Sequence, residues 1–285
     1  MTQLTLDNTA IVADSTCDPS PGYFDRPGMV MVPLKVNFGD QTYRDGVDLS
    51  PPEFFAKLAS SATLPTTSQP TVGEFTSVYT ALTRDYEHVL SFHLSSRMSG
   101  TYEASRRAAE AFPGVEVYDT LTVSATILLL IERVRARLEA GISHDDARAY
   151  VDHFKTRNHM LFQVPTLEYL RRGGRIGRAQ SMVGDVFGIR PLLTVTDGEL
   201  GAYAKVRGER RALEAMATLL QEQSAPDDPV KLVTWSSDAD DKLPGLEAAL
   251  LAARPRSEIV LHGRVGAVVG THGGPGMFAF AMIVE

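Results

Sequence analysis

Two rhythms of apolar residues run along the first half of the chain. Short apolar runs stop abruptly in hydroxyl-rich turns, and longer amphipathic stretches follow them. The short runs predict strands over residues 9–13, 29–38, 89–93 and 115–118, with Pro33 marking an edge or a break in the second. The amphipathic stretches predict helices over 52–60, 71–83, 101–112, 124–140 and 144–157. Residues 121–131 are the most apolar stretch, too short for the roughly 20 residues a membrane span needs, and read as a buried core helix. Strands alternating with helices imply βαβ units, hence a parallel sheet covered on both faces. Ligands in such folds bind beyond the carboxyl ends of the strands.

The second half follows another pattern. Strands are expected over 162–164, 192–195, 200–205, 230–235, 258–261, 267–269 and 278–284, and helices over 167–170, 209–223 and 240–253. Asp197-Gly198 between two of the strands is a hairpin signal. The expected architecture is therefore α/β in two domains, an N-terminal parallel-sheet domain over 1–160 and a C-terminal mixed α/β domain over 161–285.

Composition narrows the function classes. The chain has 28 basic and 35 acidic residues, a net charge of −7, which argues against a general nucleic-acid-binding face. Its single cysteine, Cys17, cannot form an internal disulfide, and the first residues carry no basic, then apolar, leader pattern; a cytoplasmic protein is expected. Metal binding has little support: there is one cysteine and no H-E-x-x-H, and His153 and His159, six apart, read as a solvated face. No catalytic residue, metal or cofactor is expected.

The candidate chemistry lies in turns. Residues 89–101 read VLSFHLSSRMSGT, an apolar strand, then hydroxyls, then a helix whose N-cap is expected at Ser99. Free N–H groups, the helix dipole and serine hydroxyls there suit an anion. Two further clusters, Asp14-Ser15-Thr16 and Thr66-Thr67-Ser68, would converge on the same sheet edge, although hydroxyls also serve as ordinary caps and turns. A serine nucleophile at Ser99 or Ser96, with His272 or His93 as base, is the rival reading, but the G-x-S-x-G elbow is absent. No phosphate-binding G-x-x-x-x-G-K motif occurs, and the glycine-rich segment 270–276 (GTHGGPG) precedes a strand, not a helix, so it is no dinucleotide site. His272 in that segment is the histidine best suited to face an anion. Residues 171–178 (RRGGRIGR) hold four arginines, a solvated loop or a docking patch for an acidic partner or a phosphate.

Several segments, taken in order, carry a resemblance: 11–16 (IVADST), 64–70 (LPTTSQP), 93–102 (HLSSRMSGTY), 167–175 (LEYLRRGGR), 205–207 (KVR) and 266–276 (GAVVGTHGGPG). Together they resemble the DegV family of bacterial fatty-acid-binding proteins over nearly the whole chain. The resemblance implies one long-chain fatty acid held between two α/β domains. Its carboxylate would meet Thr67, Ser99 (with Ser96 the near alternative) and His272, and Arg207 matches an arginine near the head group. It also implies a partner, a fatty acid kinase that converts the carboxylate to an acyl-phosphate for phospholipid synthesis. Arg171, Arg172 and Arg175 fall in the region implied to dock that kinase. Arg97 departs from the family pattern, standing where a glycine is common, and puts a charge beside the expected head-group turn.

Overall fold

The computed structural model describes residues 3–182 and 189–285. In chain order the elements are β1 (Thr9–Asp14), β2 (Met29–Val32), β3 (Lys35–Phe38), β4 (Gln41–Arg44), α1 (Pro51–Ser60), β5 (Thr66–Ser68), α2 (Val72–Leu82), β6 (His88–His93), α3 (Thr101–Ala109), β7 (Val115–Asp119), α4 (Ala125–Ala140) and α5 (His144–Arg157). The second half adds β8 (His159–Gln163), α6 (Glu168–Arg172), β9 (Ile189–Thr196), β10 (Glu199–Arg207), α7 (Glu209–Glu222), β11 (Val230–Ser237), α8 (Leu243–Ala253), β12 (Glu258–Arg264), α9 (Ala267–Gly273) and β13 (Met277–Val284).

The expected α/β class holds. Strands β2-β1-β6-β7 form a four-stranded sheet, parallel throughout. All six residues of β1 are buried, as a parallel strand covered on both faces requires. Helices α2 and α3 cover one face through Phe75, Tyr79, Ala104 and Ala108. In the second half, β10-β9-β8-β13-β11-β12 form a mixed sheet in which β11 and β12 alone run parallel. Alternation along β11 and β13 sorts its two faces: Leu232, Phe278 and Phe280 pack under α7 and α8, while Val233, Trp235, Met277 and Ala279 face the first half of the chain.

Four expectations need correction. The strand expected over 29–38 breaks at Pro33-Leu34 into β2 and β3, which belong to different sheets. Strand β3 instead heads a small antiparallel sheet, β4-β3-β5, so the hydroxyl cluster at Thr66–Ser68 is a strand and not a loop. The cap of α3 is Gly100 rather than Ser99, one residue later than expected. Most consequentially, 267–269 opens helix α9 instead of forming a strand. Its first amides are met by two buried carboxylates from the other half of the chain: Gly266 N donates to Asp18 Oδ1 at 2.8 Å and Ala267 N to Asp45 Oδ1 at 2.7 Å. Tertiary capping of this kind overrides the β preference of Val268-Val269.

The expected boundary near residue 160 divides the chain by order rather than by packing. Helix α4, from the first half, packs on β11, β12 and β13 of the second. One apolar core joins Leu4, Ile11 and Phe92 to Val233, Trp235 and Ile283. No helix among the described residues is long and apolar enough to cross a membrane.

Candidate functional site

A cavity of about 320 Å³ lies between the carboxyl ends of the parallel strands and the inner face of the mixed sheet. That is the lower part of the roughly 300–1,000 Å³ range of small-molecule sites. Each parallel strand contributes through the residues that follow it: Thr16 after β1, Leu34 after β2, Leu94 and Ser99 after β6, Val123 and Ser124 after β7. This is where the strand order of a parallel sheet places a ligand. Phe162, Trp235 and Met277 close the opposite wall, and α9 supplies Val268, Val269 and His272. Most of the lining is apolar.

One end of the cavity is polar. Thr67 Oγ1 lies 3.0 Å from His272 Nε2. Ser99 stands in the turn before α3, its Oγ 2.9 Å from Thr101 Oγ1 and accepting from Thr101 N at 3.3 Å. Gln69 ties the two sides together by donating to the Gly100 carbonyl at 3.3 Å. Arg175 completes the group: its Nε donates to the Met98 carbonyl at 3.4 Å and its Nη1 to the Gly173 carbonyl at 2.9 Å.

His272 is neutral at physiological pH. Burial, with the positive charge of Arg175 in second place, brings its pKa down to about 4. A side chain at Gly173 would put its Cβ 2.2 Å from Nδ1, so the glycine backbone covers that nitrogen, which is buried without a partner. An orphaned donor there would be costly, so we assign the proton to Nε2. Nε2–H then donates to Thr67 Oγ1, and the Thr67 hydroxyl is left as a donor toward the cavity. The ring does not meet an anion as a cation; it orients a hydroxyl that does.

Of the other residues marked by the sequence, all but Arg175 fall outside this group. Ser96 is exposed and does not line the cavity; its backbone N–H donates to Asp119 Oδ1 at 3.1 Å. Arg207 ends β10 in a separate surface groove with Lys205, Arg211 and Glu214. Arg171 and Arg172 both pair with Glu168 on their own helix. Arg97 pairs with Glu199 at 3.2 Å and stays clear of the cavity. Arg175, expected with the docking arginines, is exposed and also lines the cavity beside His272.

Neither candidate base reaches a candidate nucleophile. His93 is fully buried and joins Asp14 Oδ2 at 3.1 Å to Ser91 and Ser105 at 2.7 and 2.8 Å. The connectivity is that of a Ser-His-Asp triad, yet all four side chains are sealed beneath the sheet edge. Asp14 also accepts from Leu94 N at 2.9 Å, so the network braces the turn leading to Ser99. Sequence reasoning missed this brace, along with Asp18 and Asp45, because their partners are remote in the chain. Burial pushes the carboxyl of Asp45 up to about 6 and that of Asp18 well above the usual carboxylate range.

Comparison with known proteins places this arrangement. A family model described as an uncharacterised protein of the DegV family matches residues 8–285. A DegV domain-containing protein of Halalkalibacterium halodurans is 34% identical over 283 residues, covering 97% of this chain and 98% of the relative. A fatty acid-binding protein of Thermotoga maritima is 32% identical, covering 96% and 97%. The solved structure of a fatty-acid-binding DegV family protein from Thermus thermophilus superposes with a TM-score of 0.93 at 34% identity, covering 98% of this chain and all of that one. With the family model spanning almost its full length, the chain belongs to the DegV family.

Proposed function

We propose that this protein carries one long-chain fatty acid, clasped between the halves 1–160 and 161–285, in the cytoplasm and without catalysing a reaction of its own. The observation that carries the reading is a single cavity with a long apolar wall and one polar end built from Thr67, Ser99 and His272. An acyl chain of about 16 carbons, at about 0.8 kcal/mol per buried CH₂, gains on the order of 10 kcal/mol before association costs, so no covalent or metal bond is needed to retain it. The Thr67 hydroxyl, aimed by neutral His272, and the Ser99 hydroxyl next to the α3 amides supply donors for the carboxylate. The fatty-acid-binding relatives support the ligand class.

The finer step is a proposal as well: the protein presents the carboxylate to a fatty acid kinase for acyl-phosphate formation, with exposed Arg171 and Arg172 on α6 and exposed Arg175 just after it as the docking residues. Nothing favours the hydrolase alternative, since the Ser99 hydroxyl is bonded to Thr101 and not to a base. The test is direct. Protein purified without added lipid is denatured and extracted, and the stripped protein is offered radiolabelled oleate or palmitate. Release or uptake of one fatty acid per chain is expected; an empty chain that takes up neither lipid refutes the reading.

A further inference from the structure

The apolar wall of the cavity is interrupted once more, away from the head-group end. Helix α9 runs along that wall. His272, near its end, meets Thr67, while the amides at its start meet Asp18 and Asp45. From Gly266 to His272 it advances about 9 Å at the usual helical rise. Beside its start, three buried polar side chains line the cavity: Thr16, Ser124 and Trp235. The Ser124 hydroxyl and the Gly266 amide share Asp18, and Ser124 N donates to the Thr16 carbonyl at 2.9 Å. Trp235 adjoins them. A Cβ built on Gly263 would lie 3.2 Å from Trp235 Cβ, 3.2 Å from the Asp18 carbonyl and 2.5 Å from Ala125 Cβ.

The three side chains are complementary to one small chemical group. The Thr16 and Ser124 hydroxyls each donate to a buried carboxylate, at Asp14 Oδ1 and Asp18 Oδ2. Their protons are engaged, so the capacity they retain is to accept. Trp235 is the converse. Its indole Nε1–H can only donate, and among the described residues it has no acceptor. A buried indole N–H ordinarily finds a partner, and setting it against hydrocarbon is costly. A plain acyl chain satisfies none of the three groups. A keto oxygen would meet the indole alone. A hydroxyl meets both kinds: its oxygen accepts from Trp235 Nε1, and its proton goes to Thr16 or Ser124.

We propose that Thr16, Ser124 and Trp235 form a second polar subsite that takes a hydroxyl carried on the acyl chain, so that the ligand is a hydroxylated long-chain fatty acid. This rests on the fatty-acid reading above and adds to it the chemistry of the chain. The two polar places lie at opposite ends of α9, a separation shorter than an extended long acyl chain. The hydroxyl therefore falls part-way along the chain, with the carboxylate at Thr67 and His272.

The experiment offers delipidated protein, as wild type and Trp235→Phe, stearate and a series of hydroxystearates whose hydroxyl moves along the chain. On wild type, one hydroxyl position should bind about tenfold tighter than stearate, the worth of two net hydrogen bonds. That preference should vanish in Trp235→Phe, which keeps an aromatic ring and removes the N–H. Trp235 is the only tryptophan of the chain, so its fluorescence reads the same bond. The preferred hydroxystearate should shift its emission to the red of the stearate complex. No position bound more tightly than stearate, or a preference unchanged in Trp235→Phe, overturns the proposal. Should Trp235→Phe not fold, emission from wild type decides, and coincident spectra for the two lipids overturn the proposal. Failure of wild type to bind stearate or oleate overturns the fatty-acid reading itself, whereas stearate bound without any hydroxyl preference overturns the subsite alone.

Discussion

Thr67 and His272 are 205 residues apart and meet at 3.0 Å, with the imidazole held neutral. That neutrality has a consequence for acid stability. The folded value near 4 lies below the ordinary 6.5, so the unfolded chain binds the proton more readily between the two. Stability from this residue is fully present above about pH 6.5 and is lost as pH falls toward 4. Replacing Thr67 by Val should remove the donor that meets the carboxylate and weaken oleate about tenfold, whereas His272→Ala, which only frees that hydroxyl to rotate, should cost less, about fivefold. Titration calorimetry on delipidated protein checks the order; a larger loss for His272→Ala would mean the ring itself meets the ligand. The sequence marked Thr67, Ser99 and His272 from three separate motifs, and one cavity holds all three. A run of arginines looks uniform in sequence, whereas Arg171 and Arg172 share Glu168 as a partner and Arg175 lines the cavity.

At the scale of elements, α9 shows where reading from sequence runs out. Its residues favour a strand, and its capping groups, Asp18 and Asp45, stand 248 and 222 residues away. No local signal reports such a cap. The parallel strands were legible because β1, β2 and β6 are short, mostly apolar runs and β7 alternates, and β5 was not, because Thr66–Ser68 carries only hydroxyls. Asp45 titrates in the sense opposite to His272. Its folded value of about 6 lies above the ordinary 3.8, so its contribution is present below about pH 3.8 and lost as pH rises through 6. Asp45→Asn keeps an acceptor for Ala267 N and removes the buried charge, so it should melt higher than wild type at pH 8, with the gap closing toward pH 5. A constant gap across that range would show that charge burial is not the cause. The turn after α6 is equally demanding. Gly173→Ala would drive a methyl into His272 Nδ1, at 2.2 Å, and toward the Tyr169 carbonyl, at 3.1 Å. It should displace the ring from Thr67 and weaken oleate at least as much as His272→Ala; unchanged affinity would mean that the turn yields freely.

For the whole molecule, the two sheets do not form independent bodies. Helix α4 belongs to the first half by sequence and packs on the second sheet, so a cut near residue 160 would expose core on both sides. Expressed alone, 1–160 should be aggregation-prone or molten by near-UV circular dichroism, and a cooperatively melting fragment would contradict the shared core. The docking proposal separates from the lipid site at this scale too. Arg171→Ala with Arg172→Ala should leave oleate affinity unchanged, since neither residue lines the cavity, and should weaken acyl-phosphate formation with the kinase. The central claim is that the cavity holds a fatty acid. Native mass spectrometry of protein purified without added lipid, followed by denaturing extraction of the same sample, tests it most directly. A complex one fatty acid heavier than the chain is expected, with that fatty acid alone in the extract; a native mass equal to the bare chain, unchanged after incubation with oleate, would contradict fatty-acid carriage.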